Sequence, residues 1–377
     1  MLKIPMLKIN RRIVLLLILT LLGSHSFVEA SSSDRALEIL QKSADNLKAT
    51  DRIQYDVTNR FSYRSSVPLL GGFPNRTIVA TVRRGGIYFD VVSTMREYID
   101  GEFISSEKLH QVLTPVFSVV GFIESDHHED GMVTTKQAKE HVPGLFAGGQ
   151  YGFELDGYLG GDDIRVLELI LMEPDTIRFI GESEINGFVC KQIDADTSYG
   201  FFSIYIDSEN GYIIRRAVAT RRHGDLLHGG NKYFHDTSLI ETFTFVLDNL
   251  EFQLLGNNIV ATKGVLQLNR RDINGDVHTN RSEYERTNIV LNPIFDANIF
   301  TAAFLEGGVV ANLDDQESGV IYIWDGEQAI PAFTYFEGRA FMQGYAGFLG
   351  LFSMLLGIAL VAYALYRMFL KTKKISG

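Results

Sequence analysis

The sequence predicts a mainly β protein of the α+β class, with an antiparallel sheet of about ten strands, two or three covering helices and a C-terminal transmembrane helix. Two observations lead to this prediction. Apolar and polar residues alternate along many segments that meet at Gly-containing turns, which is typical of half-buried strands. Near the C-terminus, the run 345–365 contains no charged residue. About twenty apolar residues are enough to cross a hydrocarbon core of about 30 Å.

The first predicted elements are one helix and one strand. Ser33 is a typical N-cap for a helix that extends to about Ala49, with an apolar face formed by Leu37, Leu40, Ala44 and Leu47. From Ile53 to Tyr63 the period changes from helical spacing to alternation, which predicts a strand.

Four hairpins are predicted where two β-rich runs flank a turn signal. Asn-Gly and Asp-Gly are the strongest short signals of this kind. The predicted pairs are 77–82 with 87–92, 202–206 with 212–218, 258–271 with 277–290, and 319–324 with 328–332. The third pair is predicted to turn on a type I′ turn at Asn274-Gly275.

A second helix is predicted over 164–171. Gly160-Gly161-Asp162-Asp163 precedes it as a cap, and Pro174 ends it. A shorter helical piece is predicted near 136–141, and residues 125–131 and 223–236 are expected to be polar loops.

The two ends of the chain predict export and anchoring. Four cations precede the apolar run Ile13–Leu22, and small residues follow up to Ala30, so residues 1–30 are expected to be a secretory signal peptide. A retained second anchor is the alternative. The apolar run 345–365 is expected to be a transmembrane helix, although a buried helix in a soluble core is the alternative. The basic tail 366–377 follows the run, which places the C-terminus in the cytoplasm and the domain 31–336 outside the cytoplasmic membrane.

The charge of the exported part excludes a nucleic-acid partner. The whole chain has a formal charge of −11. Without the four cations and one anion of the signal, and without the four cations of the tail, the remaining residues carry −18. Such a body is repelled by phosphate backbones. Cys190 is the only cysteine, so no intramolecular disulfide forms, and its apolar neighbours predict a buried structural thiol rather than a nucleophile.

Motifs for catalysis or metal binding are weak throughout the sequence. It contains no Gly-x-Ser-x-Gly, no His-Glu-x-x-His, no phosphate-binding Gly loop and no Cys-x-x-Cys, so no enzyme is indicated. Three constellations invite a metal ion, but none supplies three convergent ligands on rigid elements, and we expect no metal and no cofactor. They are the loop 126–130, the histidines His223, His228 and His235, and the calcium-like spacing of Asp272, Asn274, Asp276 and Glu283.

Four stretches follow one another in an order that is found in a known family. The helix 36–40 leads into the strand 53–63, the segment 181–194 reads as a strand–Gly–strand unit, and 203–207 with Arg215-Arg216 reads as the strand pair after it. Tyr322-Ile323-Trp324-Asp325-Gly326 reads as a closing hairpin. In this order the four stretches resemble the periplasmic lipoprotein-carrier superfamily, the LolA-like and LolB-like outer-membrane lipoprotein-sorting proteins, and the last one is similar to the closing hairpin of its long bacterial members.

The resemblance implies a strongly curved half-barrel whose concave apolar face binds the acyl chains of a lipid or lipoprotein, in the envelope of a bacterium. Candidate lining residues are Tyr55, Phe61, Ile78, Val82, Phe202, Ile204 and Ile206, although the same side chains are equally able to fill a solid core. The anchor departs from a soluble shuttle, so binding is expected to be local to the membrane. A sensor or scaffold domain that binds an envelope protein partner is the alternative, and a plain structural protein is the third.

Overall fold

A computed structural model describes residues 33–66, 74–86, 88–113, 118–124, 131–134, 150–234, 238–300, 304, 307–312, 320, 322–326, 328–332 and 334. The described chain divides into two compact units. The first comprises residues up to Asp126 and from Thr135 to Ala302, and the second comprises His127–Thr134 and the residues from Ala303 onward.

The first unit is built on one open antiparallel sheet of twelve strands, which confirms the mainly β class and exceeds the expected ten. The strands are β1 Arg52–Ser65, β2 Asn75–Gly85, β3 Tyr88–Ile99, β4 Glu102–Leu113, β5 Ser118–Glu124, β7 Ile177–Ile185, β8 Phe188–Thr197, β9 Gly200–Asp207, β10 Ile213–Arg222, β11 Ile240–Leu255, β12 Asn258–Asp272 and β13 Val277–Leu291. Their order in space is β5-β4-β3-β2-β1-β13-β12-β11-β10-β9-β8-β7, so β13 returns to pair with β1 near the middle.

The hairpin prediction is accurate for the long arms but wrong in the turn between β12 and β13. The two strands pair in register from Lys263↔Glu285 to Arg271↔Val277. The amide of Gly275 donates to Asp272 O at 2.9 Å, and Gly275 has φ +90°, whereas Asn274 does not have positive φ. A type I′ turn needs positive φ at both central residues. The connection is therefore a type I turn with a glycine in the left-handed region.

One face of this sheet forms the hydrophobic core. Along β1 the burial alternates, so that Ile53, Tyr55 and Val57 are buried and the residues between them are more exposed. The same alternation holds on β2, whereas most residues on both faces of β9 are buried. The opposite face is polar and carries ion pairs such as Arg83 with Asp90 at 2.6 Å.

Helix α1, residues 33–47, packs on the buried face as the sequence predicts, but its apolar stripe is rotated. Ala36, Ile39, Leu40 and Ala44 are buried, whereas Leu37 is 37% exposed. A short 3₁₀ turn, Lys48–Thr50, continues the helix. Helix α2, Val166–Met172, is the second predicted helix, and the 3₁₀ turn Pro174–Thr176 follows it at the predicted stop.

The second unit contains four short strands in the order β16-β15-β14-β6. They are β6 Gly131–Thr134, β14 Val309–Asn312, β15 Tyr322–Trp324 and β16 Ala329–Pro331. β14 is parallel to β6 and antiparallel to β15, and β15 pairs with β16 as predicted.

Within the described residues, no helix has both the length and the apolar character needed to span a bilayer. The predicted signal 1–30, the piece near 136–141, the predicted anchor 345–365 and the tail 366–377 all lie outside the described residues.

Candidate functional site

Residues 150–172 cross the apolar face of the sheet, and we call them the covering segment. Nearly every residue from Tyr151 to Asp162 is buried. The segment contains the 3₁₀ turn Phe153–Asp156 and then helix α2. Gly152, Gly157 and Gly160 have φ between +75° and +90°, which is accessible to glycine at little cost. The irregular path lets this backbone follow the sheet closely.

Two glycines allow the covering segment to make close contact with its neighbours. A Cβ at Gly264 on β12 would lie 2.6 Å from Leu155 Cδ2, and one at Gly157 would lie 2.8 Å from Leu47 Cδ1. Both distances are too short for real side chains. Because Gly264 has no side chain, Leu155 packs directly against β12. Because Gly157 has none, Leu47 at the end of α1 packs directly against the covering segment.

A buried ionic cluster, the Asp156 cluster, fixes the first half of the covering segment. It consists of Asp156, Arg84, Arg165 and Arg286. Arg286 donates from Nη1 and Nη2 to the two carboxylate oxygens of Asp156 at 2.8 and 2.9 Å. Arg84 Nη1 lies 3.3 Å from Asp156 Oδ2, and Arg165 Nε donates to the backbone O of Asp156 at 3.0 Å.

Electrostatics keeps this carboxylate ionised. Burial raises the pKa of Asp156, but the guanidinium groups of Arg286 and Arg84 outweigh burial and the net pKa is lowered. The Arg286 guanidinium lies 4.0 Å from the ring centre of Tyr55, one of the predicted lining residues. Tyr55 is thus committed to a cation–π contact in the core.

A second cluster, the Asp162 cluster, fixes the other half and consists of Asp162, Arg221 and His228. Arg221 Nη2 lies 3.3 Å from Asp162 Oδ2, and its Nε donates to Gly160 O at 3.0 Å. Asp162 also accepts from the backbone N of His228 at 3.0 Å and from the backbone N of Asp163 at 2.9 Å. The sequence predicts Asp162 as part of a helix cap, but α2 begins at Val166 with Arg165 as N-cap.

Among the described residues, Asp162, Asp163 and His228 are the group whose ligand atoms lie close enough to hold a metal, all within 4.8 Å of one another. Both oxygens of Asp162 already accept hydrogen bonds, and the Arg221 guanidinium repels a cation there. Asp163 instead pairs with His228 Nδ1 at 3.0 Å. These contacts account for the cluster without an ion.

The other constellations that invite a metal ion lie in part outside the described residues, and their described members have other partners. His223 Nε2 lies 2.6 Å from Ile240 O and stacks on Phe234, and His235 lies outside the described residues, as does the loop 126–130. Asp272 pairs with Arg270 at 2.8 Å and with His278 at 3.2 Å inside the hairpin.

A small cavity lies between the end of α1, the covering segment and strands β10–β12, and we call it the α1 cavity. Its volume is about 40 Å³. Most of its lining side chains are apolar. They are Leu47, Leu155, Leu159, Val166, Tyr212, Ile213, Ile214, Ala217, Leu247, Leu250, Phe252, Ile259, Val260 and Ala261, with Ser43, Asn46, Thr50, Glu154 and Gly157.

Strain is stored at the rim of this cavity. Tyr212 has φ +58°, a left-handed conformation that bulky residues rarely adopt. Its hydroxyl accepts from Lys42 Nζ on α1 at 3.2 Å, and the same ammonium lies 4.9 Å from its ring centre. Asn46 Nδ2 also donates to Gly211 O. These contacts tie α1 to the β9–β10 turn.

Glu154 is the only ionisable group among the cavity residues that is fully inside the protein, at 3% exposure. Burial raises the pKa of Glu154 to about 7, although its own backbone N–H, the Tyr284 hydroxyl and Arg286 oppose the shift. Its Oε2 has no hydrogen-bond partner, and neither has Ser43 Oγ in the same lining. A buried polar atom without a partner costs free energy, so these two atoms mark the polar part of the cavity.

Six of the seven predicted lining residues are buried core side chains, and Phe61 is half-buried. None of the seven lines the α1 cavity itself. Ile204 and Ile206, however, pair across strands with the cavity residues Ala217 and Ile214. Their role in binding stays a prediction. Cys190 is buried as predicted, and burial raises the pKa of its thiol to about 11.

The sequence reasoning missed the part of the covering segment that precedes the predicted second helix. Its signal is the string Phe153-Glu154-Leu155-Asp156-Gly157-Tyr158-Leu159, in which apolar residues alternate with acids and glycine. It also missed the inward-facing arginines, since Arg84, Arg221 and Arg286 occupy core-facing strand positions.

Comparison with known proteins gives no family assignment. No family model matches the sequence, and no curated protein matches it. A DUF1329 family protein from Desulfovibrio piger is similar in structure, with 12% identity over 72% of this chain and 97% of that chain and a TM-score of 0.35. Lipovitellin, from a structure of lipid–protein interactions, is similar with 8% identity over 68% of this chain and 27% of that chain and a TM-score of 0.25. At these values neither likeness carries a functional argument.

Proposed function

We propose that this protein binds the acyl chains of a lipid or lipoprotein without catalysis, at the outer face of a membrane to which it is anchored. The observation that carries the proposal is the α1 cavity, an apolar space between a large sheet and an N-terminal amphipathic helix. Ligand sites of this kind need apolar area and few polar groups. Here Ser43, Thr50 and Glu154 are the buried polar residues.

The size of the cavity requires α1 to move when a chain enters. An apolar cavity of about 150 Å³ binds benzene, whereas this cavity measures about 40 Å³. Each buried methylene contributes about 0.8 kcal/mol. A ten-carbon chain thus gains about 8 kcal/mol, which offsets burial lost when the face of α1 formed by Ala36, Ile39, Leu40 and Ala44 leaves the core.

The predicted residues Ile204 and Ile206 extend the site beyond the cavity. They belong to the same continuous apolar cluster as Ala217 and Ile214, to which they pair. A chain that enters beneath α1 would therefore pass onto β9 next. In this proposal Ile204 and Ile206 form the inner wall of the acyl-chain site.

The test is ligand binding to the full-length chain, measured by native mass spectrometry after incubation with ten-carbon amphiphiles. Ala217→Leu narrows the cavity and is expected to lower binding at least tenfold. Ala80→Leu is the matched control, because Ala80 is equally buried but does not line the cavity. A wild-type chain that binds none of the amphiphiles contradicts the proposal, as does an Ala217→Leu chain that binds as well as the control.

A second candidate function, binding of an envelope protein partner, is favoured by the edge of the sheet. β7 is the last strand in the order, and Ile180, Phe188 and Val189 are exposed on β7 and β8. An exposed edge strand accepts an added strand. Ile180→Lys would abolish such pairing and leave acyl-chain binding unchanged, so the two functions separate in one variant.

Export and anchoring form the remaining part of the proposal. The signal 1–30 and the anchor 345–365 would place the body on the outer side of a bacterial cytoplasmic membrane. Protease added to intact spheroplasts is expected to digest the body. Complete protection would overturn the topology without affecting the binding site.

A further inference from the structure

We infer that the α1 cavity takes a positively charged head group, and that the ligand is a lipid whose polar end is a primary amine. Ser43 on α1 and Glu154 on the covering segment hold its ammonium group between them. This inference rests on the proposed acyl-chain site and adds the chemical class of the head group. Two buried oxygen atoms and the charges around them support it.

The polar part of the α1 cavity contains two oxygen atoms without a hydrogen-bond partner. They are Ser43 Oγ and Glu154 Oε2, and the two residues are 1% and 3% exposed. Because neither atom has a partner, the two oxygens do not bond to each other, and a third group is needed to satisfy both. The Tyr284 hydroxyl already hydrogen-bonds to the carboxyl group of Glu154, so Oε2 is the oxygen that remains for this third group.

The cavity has the size of a head group rather than that of a chain. A water-sized group needs about 10–15 Å³, and the cavity measures about 40 Å³. An ammonium group therefore fits into the space between Ser43 and Glu154, whereas the chain needs the space beneath α1 that Ile39 and Leu40 fill. The bound ammonium group then keeps the end of α1 attached to the covering segment while the chain is taken up.

The charged groups beside the cavity balance before Glu154 is counted. Among the described residues, five cations face five carboxylates, namely Arg84 and Arg286 with Asp156, Arg165 with Asp51 and Glu168, Lys42 with Glu38, and Lys48 with Asp45. An ionised Glu154 is therefore one buried negative charge in excess. A cationic head group compensates this charge, a neutral one leaves it uncompensated, and an anionic one adds a second buried negative charge.

An ammonium group also matches the hydrogen-bond acceptors of the cavity. It carries three N–H donors and no acceptor. Glu154 Oε2 and Ser43 Oγ accept two of them, and the amide oxygen of Asn46, whose Nδ2 donates to Gly211 O, is an acceptor for the third. Burial raises the pKa of Glu154 to about 7, and a cation beside the carboxyl group favours its ionised form. Binding of the amine thus stabilises the state of Glu154 that it needs.

The experiment compares decylamine, 1-decanol and decanoate, which share a ten-carbon chain, on the full-length chain at pH 8. At this pH Glu154 is mostly ionised, and decylamine is a cation because the pKa of an alkylamine is close to the lysine value of about 10.4. Affinities come from the ligand-dependent rise in melting temperature. The wild type is expected to bind decylamine about tenfold more tightly than either other ligand, because only the amine compensates the buried charge.

Glu154→Gln keeps the shape of the side chain and removes its charge. In this variant the preference for decylamine should fall about tenfold relative to both other ligands. Ser43→Ala should weaken decylamine binding about threefold, because the ammonium group loses one acceptor. Glu209→Gln is the matched control, since it removes the same charge from the exposed β9–β10 turn, and it should keep the preference of the wild type.

Three results would overturn the inference. They are a wild type that binds 1-decanol or decanoate as tightly as decylamine, an unchanged preference in Glu154→Gln, and an equal loss of preference in Glu209→Gln. Failure of the proposed acyl-chain site looks different, because then none of the three ligands binds or Ala217→Leu changes nothing.

Discussion

The Asp156 cluster and the Asp162 cluster hold two halves of the same covering segment by different means. In the first, Arg286 and Arg84 face one carboxylate while Arg165 donates to the backbone oxygen of the same residue, and Nε and Nη1 of Arg84 and Nε of Arg286 have no hydrogen-bond partner. In the second, Arg221 donates to the backbone oxygens of Gly160, Tyr199 and Leu226 as well as to Asp162.

The difference concerns what each aspartate supplies. Asp156 supplies negative charge, because without it the guanidinium groups would be buried cations with few acceptors. Asp162 supplies mainly hydrogen-bond geometry, because Arg221 keeps three carbonyl acceptors in any case. Removing one partner of a buried ion pair is costly because the other charge is left uncompensated. The two aspartates should therefore respond differently to the same substitution.

The largest effect is expected for Asp156→Asn. The amide keeps the shape of the side chain but removes the charge that Arg286 and Arg84 share. We expect a loss of about 3–5 kcal/mol in the free energy of unfolding, measured by urea denaturation. A loss below 1 kcal/mol would show that the arginines find other compensation, and the comparison would fail.

The free energy of unfolding is expected to change by about 3 kcal/mol with pH because of Glu154, which lies beside the Asp156 cluster. Burial raises its pKa from the ordinary 4.5 to about 7, so the folded chain binds more protons than the unfolded chain between these values. Stability contributed by the neutral acid is present below pH 4.5 and is lost as pH rises to about 7.

Glu154→Gln removes this titration. The stability of the wild type relative to that variant should fall between pH 4.5 and 7 and stay constant above it. A difference that is flat over this range would mean that Glu154 is solvated in the folded protein.

A smaller loss is expected for Asp162→Asn, about 1–3 kcal/mol in the free energy of unfolding. The amide oxygen still accepts from Arg221 or from the backbone N of His228, but the second acceptor is lost. Urea denaturation of Asp162→Asn and Asp156→Asn under the same conditions compares the two clusters directly. Equal losses in the two variants would show that both clusters depend on charge.

The smallest effect is expected for Cys190→Ala on β8. The thiol is buried and donates weakly to Phe188 O at 3.6 Å, so its removal should cost about 1 kcal/mol or less. Loss of ligand binding with unchanged stability would instead reveal a functional thiol. This variant is the baseline against which the aspartate variants are judged.

The local pattern of the sequence determined the helices, the buried face and the strands of the predicted hairpins, whereas β4, β5 and β11 were not predicted. The arms of β12 and β13 differ from the predicted ranges by one residue each, because alternation and turn residues act over a few neighbours. The same alternation placed Tyr55, Ile78, Val82 and Ile204 inside. The helical spacing of apolar residues predicted α1. Ala36 and Ile39 nevertheless take the place of Leu37 on the buried stripe, because the sheet beneath sets the rotation of the helix about its axis.

The candidate site depends on contacts between residues that are far apart in the chain. Arg286 lies 130 residues from Asp156 in the chain, and Arg221 lies 59 from Asp162, so no local pattern indicates that they meet. An arginine in an alternating strand predicts a solvent-facing position, and it is buried here because a distant carboxylate or carbonyl compensates its charge. Glu154 is likewise buried, although its residue type predicts a solvent-facing position. Its burial and raised pKa arise from the covering segment packing onto β12 at Gly264, a contact that propensity and periodicity do not encode.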